Sequence, residues 1–250
     1  MIVLKSCHEL ELMKEAGKIS ARALKLGGEA VEPGVSTEYI DNLIHKYIVS
    51  MGAKPSFLGY GDFPKSSCIS INNVVIHGIP SKKRIIKSGD IVSIDVGACI
   101  HGYHGDNAYT FPCGDISPEA QNLLKTTEES LYEGIKKAKI GNRIGDIGNT
   151  VEEYVKARGY SVVRDFVGHG VGALLHEDPS VPNYGKPGHG PRLVKGMTIA
   201  IEPMVNVGTE KVVILDDNWT TVTADNKLSA HFEHTISITP DGPLILTNPD

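Results

Sequence analysis

The chain repeats itself. Gly34, Ile40, Asn42, Tyr47 and Gly52 stand at the same spacing as Gly141, Ile147, Asn149, Tyr154 and Gly159, each pair 107 residues apart. The same offset carries Gly89 onto Gly196, Ile94 onto Ile201 and Asp95 onto Glu202. A register kept from helical segments through to a strand acid implies a duplicated helix-helix-strand unit. The expectation is therefore one domain over residues 1–250, with an internal repeat at about 1–107 and 108–250 and two pseudo-symmetric halves. Each half would deliver a carboxylate to a shared centre. No segment has the composition of a linker.

The repeated acids are out of place in their surroundings. Ile91, Val92, Ile94 and Val96 form a short β-branched run typical of a buried strand, and Asp95 interrupts it. Glu202 interrupts a second such run, Met197 to Met204, and Glu233 stands in a third, His231 to Ile238. Asp106 follows Asp95 by 11 residues, across glycines at 97 and 102, so a hairpin can bring the two together. A buried carboxylate is costly unless it is paired or bound to metal, and carboxylates brought together repel. No lysine or arginine lies in these runs to neutralise them. His169, in Gly168-His-Gly-Val-Gly172, adds a nitrogen donor after a strand-like stretch from Ser161 to Val167. Four acids and one histidine make a mainly oxygen donor set, suited to manganese, iron(II), cobalt(II) or zinc. With this many acids, two bridged ions roughly 3.5–4 Å apart fit better than one.

Residues 168–173 also match the dinucleotide pattern GxGxxG/A, but Pro179, Pro182 and Pro187 preclude the long helix that must follow. The glycines there are expected to bend the backbone and present His169. The net charge of -5 and the lack of a basic block argue against nucleic acid as the main ligand. No apolar run reaches the ~20 residues of a membrane span. The N-terminus has no signal-peptide pattern. Four cysteines in neither a CxxC site nor a disulfide framework suggest reduced thiols in a cytoplasmic protein.

Apolar spacing predicts a helix over residues 7–26, ended by Gly27 and Gly28. A second helix is capped by Ser36 or Thr37 and runs to about Met51. Cys68 to Ile76 reads as a strand. Ser117-Pro118-Glu119 is a strong helix start, the helix continuing to about Ala138, and another helix spans about Asp146 to Arg158. From Tyr160 onward strand and loop dominate.

Taken together, these stretches resemble a type I methionine aminopeptidase of bacterial form. The matching segments are residues 70–80, Gly89 to Val96, Gly102 to Asp106, Gly168 to Gly172, Gly196 to Met204 and Phe232 to Thr235, in family order. The resemblance implies an α+β pita-bread fold, a curved antiparallel sheet with helices outside. It implies two divalent ions (Co2+, Mn2+, Fe2+ or Zn2+) on Asp95, Asp106, His169, Glu202 and Glu233. A water bridging the ions would attack the scissile carbonyl, and Glu202 would relay its proton. His77 and His176 match substrate-contacting histidines. Tyr60, Phe63, Cys68, Leu175 and Trp219, with Phe57, match the pocket for the first side chain. Asn72, Val74 and Ser229 match positions that hold a monovalent cation (Na+ or K+). The implied substrates are nascent polypeptide N-termini at the ribosome, with initiator methionine followed by a small second residue. The protein would act as a cytoplasmic monomer with no membrane partner.

Phe57 and Leu175 depart from the family, since many relatives carry a smaller residue at the first position and an aromatic at the second. Two rivals share the fold. A prolidase or aminopeptidase P would usually carry a sizeable N-terminal domain. A partner-binding module that has lost catalysis would have lost metal ligands, and all five are present here.

Overall fold

Caps set the helices of the computed structural model, which describes residues 1–250. Ser6 and Glu9 cap one another ahead of α1 (Cys7–Glu29), with the Ser6 amide donating to Glu9 at 2.8 Å. Ser36 Oγ accepts from the Tyr39 amide to open α2 (Thr37–Ser50), and Ser117 Oγ accepts from Ala120 to open α3 (Pro118–Lys137). α4 (Ile144–Lys156) begins two residues before the expected Asp146, because the Asp146 carboxylate reaches back to the Arg143 amide at 2.7 Å and caps from inside.

Two glycine readings are corrected. α1 does not stop at Gly27 and Gly28. The helix runs through them because Gly27 packs on Ile44 of α2, and the Phe111 ring fills the space a Gly28 side chain would need. The stretch from Cys68 to Ile76 is not one strand either. Asn72 adopts a left-handed φ of 57° and splits it into two.

The strands, in chain order, are β1 (Lys54–Pro55), β2 (Ser67–Ile71), β3 (Val74–Ile76), β4 (Ile91–Ile100) and β5 (Tyr103–Pro112). Between the last helix and the C-terminus come β6 (Ser161–Val162), β7 (Gly168–Gly170), β8 (Glu177–Val181), β9 (Thr198–Ile201) and β10 (Met204–Asn206). They are followed by β11 (Val212–Ile214), β12 (Thr221–Thr223), β13 (Ser229–His231), β14 (Glu233–Thr239) and β15 (Gly242–Ile245). Nine strands make the main antiparallel sheet in the order β1-β4-β5-β14-β9-β7-β8, with β2 on β4 and β15 on β14. Two three-stranded sheets, β13-β10-β6 and β11-β12-β3, flank it.

The core divides around this sheet. One cluster joins α1 and α2 (Ile19, Ile40, Ile44, Ile48) to Val92, Ile94 and Val96 of β4. The larger cluster joins α3 and α4 (Leu123, Leu131, Ile147, Val151) to Ile199, Ile201 and Ile236. The helices thus cover one face of the main sheet. Alternation then sends Asp95, flanked by Ile94 and Val96, to the other face. α1 lies close on β5, the Gly105 Cα against Gly17, with no room for a side chain at Gly105. The architecture is the pita-bread fold, α+β, as expected.

Candidate metal centre and its pocket

Strand register builds the site. Asp95 of β4 faces Cys68 of β2 on one side and Ala108 of β5 on the other, and Ala108 faces Glu233 of β14. Directly opposed residues of antiparallel strands share a face, so two acids bracket one small side chain. Asp106 opposes Gly97, one step along the same face from both Asp95 and Ala108. Glu202 follows β9, whose last residue, Ile201, pairs with His234. His169 stands at the centre of β7, beside β9.

These five side chains converge. Asp106, His169 and Glu233 each offer a ligand atom, all within 4.8 Å of one another. His169 Nε2 lies 3.4 Å from Glu202 Oε1 and 3.8 Å from Asp106 Oδ2. The His169 Nδ1–H donates to the Gly170 carbonyl at 2.8 Å, an assignment that leaves Nε2 as a free acceptor facing the acids. The β7–β8 register shifts between Gly168 and Gly170, so the strand is irregular where it presents His169. Gly168 and Gly170 lack a positive φ, and their missing side chains let the backbones of Ala200 and Asp178 approach.

Charge is concentrated here without a counterion. Burial raises Asp95, Glu202 and Glu233 well above the ordinary carboxylate range, and mutual repulsion adds to it. Burial lifts Asp106 to about 7. It also holds His169 down at about 3, with the neighbouring His176 adding to the effect. Asp95 Oδ1, Asp106 Oδ1 and Glu233 Oε1 are buried and accept no hydrogen bond. Three orphaned carboxylate oxygens in one cavity fit a hard cation, and no lysine or arginine pairs with these acids.

The acids form the floor of a cavity of about 880 Å³. Phe57, Phe63, Cys68 and Leu175 pack as one apolar cluster in its wall, with Trp219 against them. Phe63 meets the Trp219 ring edge-on at 5.1 Å. His77, held at φ 58°, turns its ring between Phe166 and Trp219 at 5.6 and 5.8 Å. Burial lowers its pKa to about 4, so it stands neutral in the cavity. His176 packs edge-on to His169 at 4.1 Å, and its Nδ1 pairs with the Tyr60 hydroxyl at 2.6 Å. Every residue expected at the metal centre and the pocket therefore lines the one cavity.

Asn72, Val74 and Ser229 lie outside it. The Asn72 carbonyl accepts from the Ser229 amide at 2.9 Å, and Val74 pairs with Val222. Ser229 Oγ and, across the β10–β13 pair, Asn206 Oδ1 are buried without partners.

Sequence reasoning missed two contributors. Phe166 forms part of the cavity wall, and no local pattern marks it. His231, fully buried and held neutral with a pKa of about 3, places Nε2 at 3.7 Å from Glu202 Oε2. The available signal was its place two residues before Glu233, at the end of β13 where the chain passes from one sheet to the other.

The sequence profile of metallopeptidase family M24 matches residues 11–240. A methionine aminopeptidase of Clostridium perfringens is 55% identical over 247 residues, covering 99% of both chains. The crystal structure of methionine aminopeptidase from Thermotoga maritima matches with a TM-score of 0.98 and 46% identity, over 99% of this chain and 100% of that one. A prolidase from Pyrococcus horikoshii matches with a TM-score of 0.80 at 24% identity, over 100% of this chain but 65% of its own, and shows the common fold alone.

Proposed function

The chain belongs to metallopeptidase family M24, and on that premise we propose that it removes the N-terminal methionine from polypeptides whose second residue is small. One observation carries the chemistry. Four buried carboxylates and a neutral histidine converge beneath an apolar pocket, with unpartnered oxygens facing inward. Asp95, Asp106, His169, Glu202 and Glu233 would hold two divalent ions. When bound, such ions supply Lewis acidity and a water deprotonated near neutral pH.

The protein's own groups do the rest. Glu202, which lies between His169 and His231, would pass a proton to the leaving amine. His176, exposed at the cavity wall and hydrogen-bonded at Nδ1 by Tyr60, turns Nε2 toward substrate and donates to the carbonyl oxygen as charge develops. His77 aligns the scissile amide. The slot of Phe57, Phe63, Cys68, Leu175 and Trp219 accepts a flexible thioether side chain. The Asn72 carbonyl region, with orphaned Ser229 Oγ and Asn206 Oδ1, fits a monovalent cation.

The two halves, about 1–107 and 108–250, act as one catalytic domain. Its substrates are nascent N-termini met at the ribosome, and it works as a cytoplasmic monomer. No helix is long and apolar enough to cross a membrane.

The test is a panel of Met-Ala-, Met-Lys-, Leu-Ala- and X-Pro-containing peptides with manganese, iron(II) or cobalt(II), against an EDTA control. Metal-dependent release of methionine from Met-Ala- peptides, with slow Met-Lys- cleavage, is the expected result. Preferred cleavage of a non-methionyl X-Pro bond would favour the prolidase reading. Full ligand binding without turnover would favour a non-catalytic module.

A further inference from the structure

The segment that carries His176 is held from the far end of the chain. The Lys5 amide donates to the Gly196 carbonyl at 2.7 Å, just ahead of β9. Its side chain, 2% exposed, runs inward to pair with Glu177 Oε2, itself 7% exposed. The Lys5 ammonium also donates to the Val3 carbonyl at 3.2 Å. Glu177 Oε1 accepts from the Leu174 amide at 3.2 Å. The pair occupies the space a side chain at residue 172 would need, so any side chain there would displace it. The Gly172 carbonyl in turn accepts from the His104 amide at 2.9 Å, two residues before Asp106. The turn from Gly172 to Glu177 is thus tied at both ends.

Desolvating two charges is costly, and an apolar pair of the same size would hold two segments together as well. What an ion pair adds is a single geometry, because neither charge can leave the other inside the protein. That matters at the next residue. His176 is exposed, and Tyr60 and His169 hold its ring from one side, through a hydrogen bond at Nδ1 and an edge-on contact, while its backbone is set by the turn. Its position depends on the backbone that Glu177 anchors. We infer that Lys5 and Glu177 are a positioning pair, setting the placement of His176 at the reacting carbonyl and hence the rate of turnover. The inference rests on reading His176 as the carbonyl-facing donor.

The test is a double-mutant cycle. Lys5→Met and Glu177→Gln are each made in the wild-type and His176→Ala backgrounds, and kcat and KM are measured on Met-Ala-Ser with manganese. Misplacing a catalytic group by ~1 Å costs on the order of 10²-fold. Each single substitution is therefore expected to lower kcat by roughly 10–100-fold with KM changed by less than about threefold. In the His176→Ala background the same substitution is expected to cost less than about twofold, since the group it positions is gone. Lys5→Arg, which keeps the charge, is expected to recover most of kcat. If Lys5→Met does not fold, Glu177→Gln is isosteric and carries the same cycle. Equal losses in both backgrounds, or undiminished kcat in the single variants, would overturn the pair's role. A His176→Ala enzyme with normal kcat would instead overturn the reading of His176, and the route through it.

Discussion

Asp106→Asn should make the metal-free protein more stable at pH 8, although it removes a metal ligand. In the folded, metal-free state burial lifts the Asp106 pKa from 3.8 to about 7. Its stabilising contribution is full below pH 3.8, where the carboxyl is protonated in both states, and is lost as pH rises to about 7. At about 1.4 kcal/mol for each tenfold in the protonation equilibrium, the displacement amounts to roughly 4 kcal/mol. The Asp106 charge also repels those of Asp95, Glu202 and Glu233, and against this a buried amide left short of partners costs ~1–2 kcal/mol. A net gain of about 2 kcal/mol remains, or ~4–8 °C in Tm for a chain of this size. Denaturation of both proteins in EDTA between pH 4 and 8 measures the difference, and the terms common to both cancel. The variant should be ~1–2 kcal/mol less stable than wild type near pH 4, where only the amide cost remains, and the curves should cross as pH rises. Saturating manganese should reverse the order, because only wild type keeps the full ligand set. Parallel curves across this range, or a variant less stable than wild type at pH 8, would refute the account of the buried charge.

Ala108 sits between Asp95 and Glu233 in one row across three strands. Ala108→Leu should push its side chain into the acid cluster, costing ~1–3 kcal/mol in stability and abolishing metal binding, read by calorimetric titration. His176→Ala should lower kcat by about 10²–10³ with little change in KM, measured under saturating metal. Gly28→Ala would meet the Phe111 ring and should lower stability by ~1–3 kcal/mol in a denaturant titration.

Asp95, Glu202 and Glu233 were legible because each interrupts an apolar, β-branched run, where a charge needs a reason, and Asp106 from its hairpin spacing to Asp95. The helices were legible from caps such as Ser36 and Ser117-Pro118. Glycine was the main source of error. A glycine that ends a helix and one that admits a neighbouring ring look alike in sequence, and only the position of Phe111 distinguishes Gly28. Gly168 and Gly170 combine two roles, flanking the register shift in β7 and admitting the backbones of Ala200 and Asp178. The break at Asn72 does carry a mark, the adjacent Asn72 and Asn73, since asparagine tolerates the left-handed backbone of a tight turn. Lys5 had no local signal at all, since its partner lies 172 residues away.

The central claim is that the converging acids and His169 form a two-ion centre. Crystals grown or soaked with manganese and measured for anomalous scattering test it directly. The account predicts two peaks roughly 3.5–4 Å apart, within bonding distance of Asp95, Asp106, His169, Glu202 and Glu233. A single peak, or peaks away from these side chains, would contradict it.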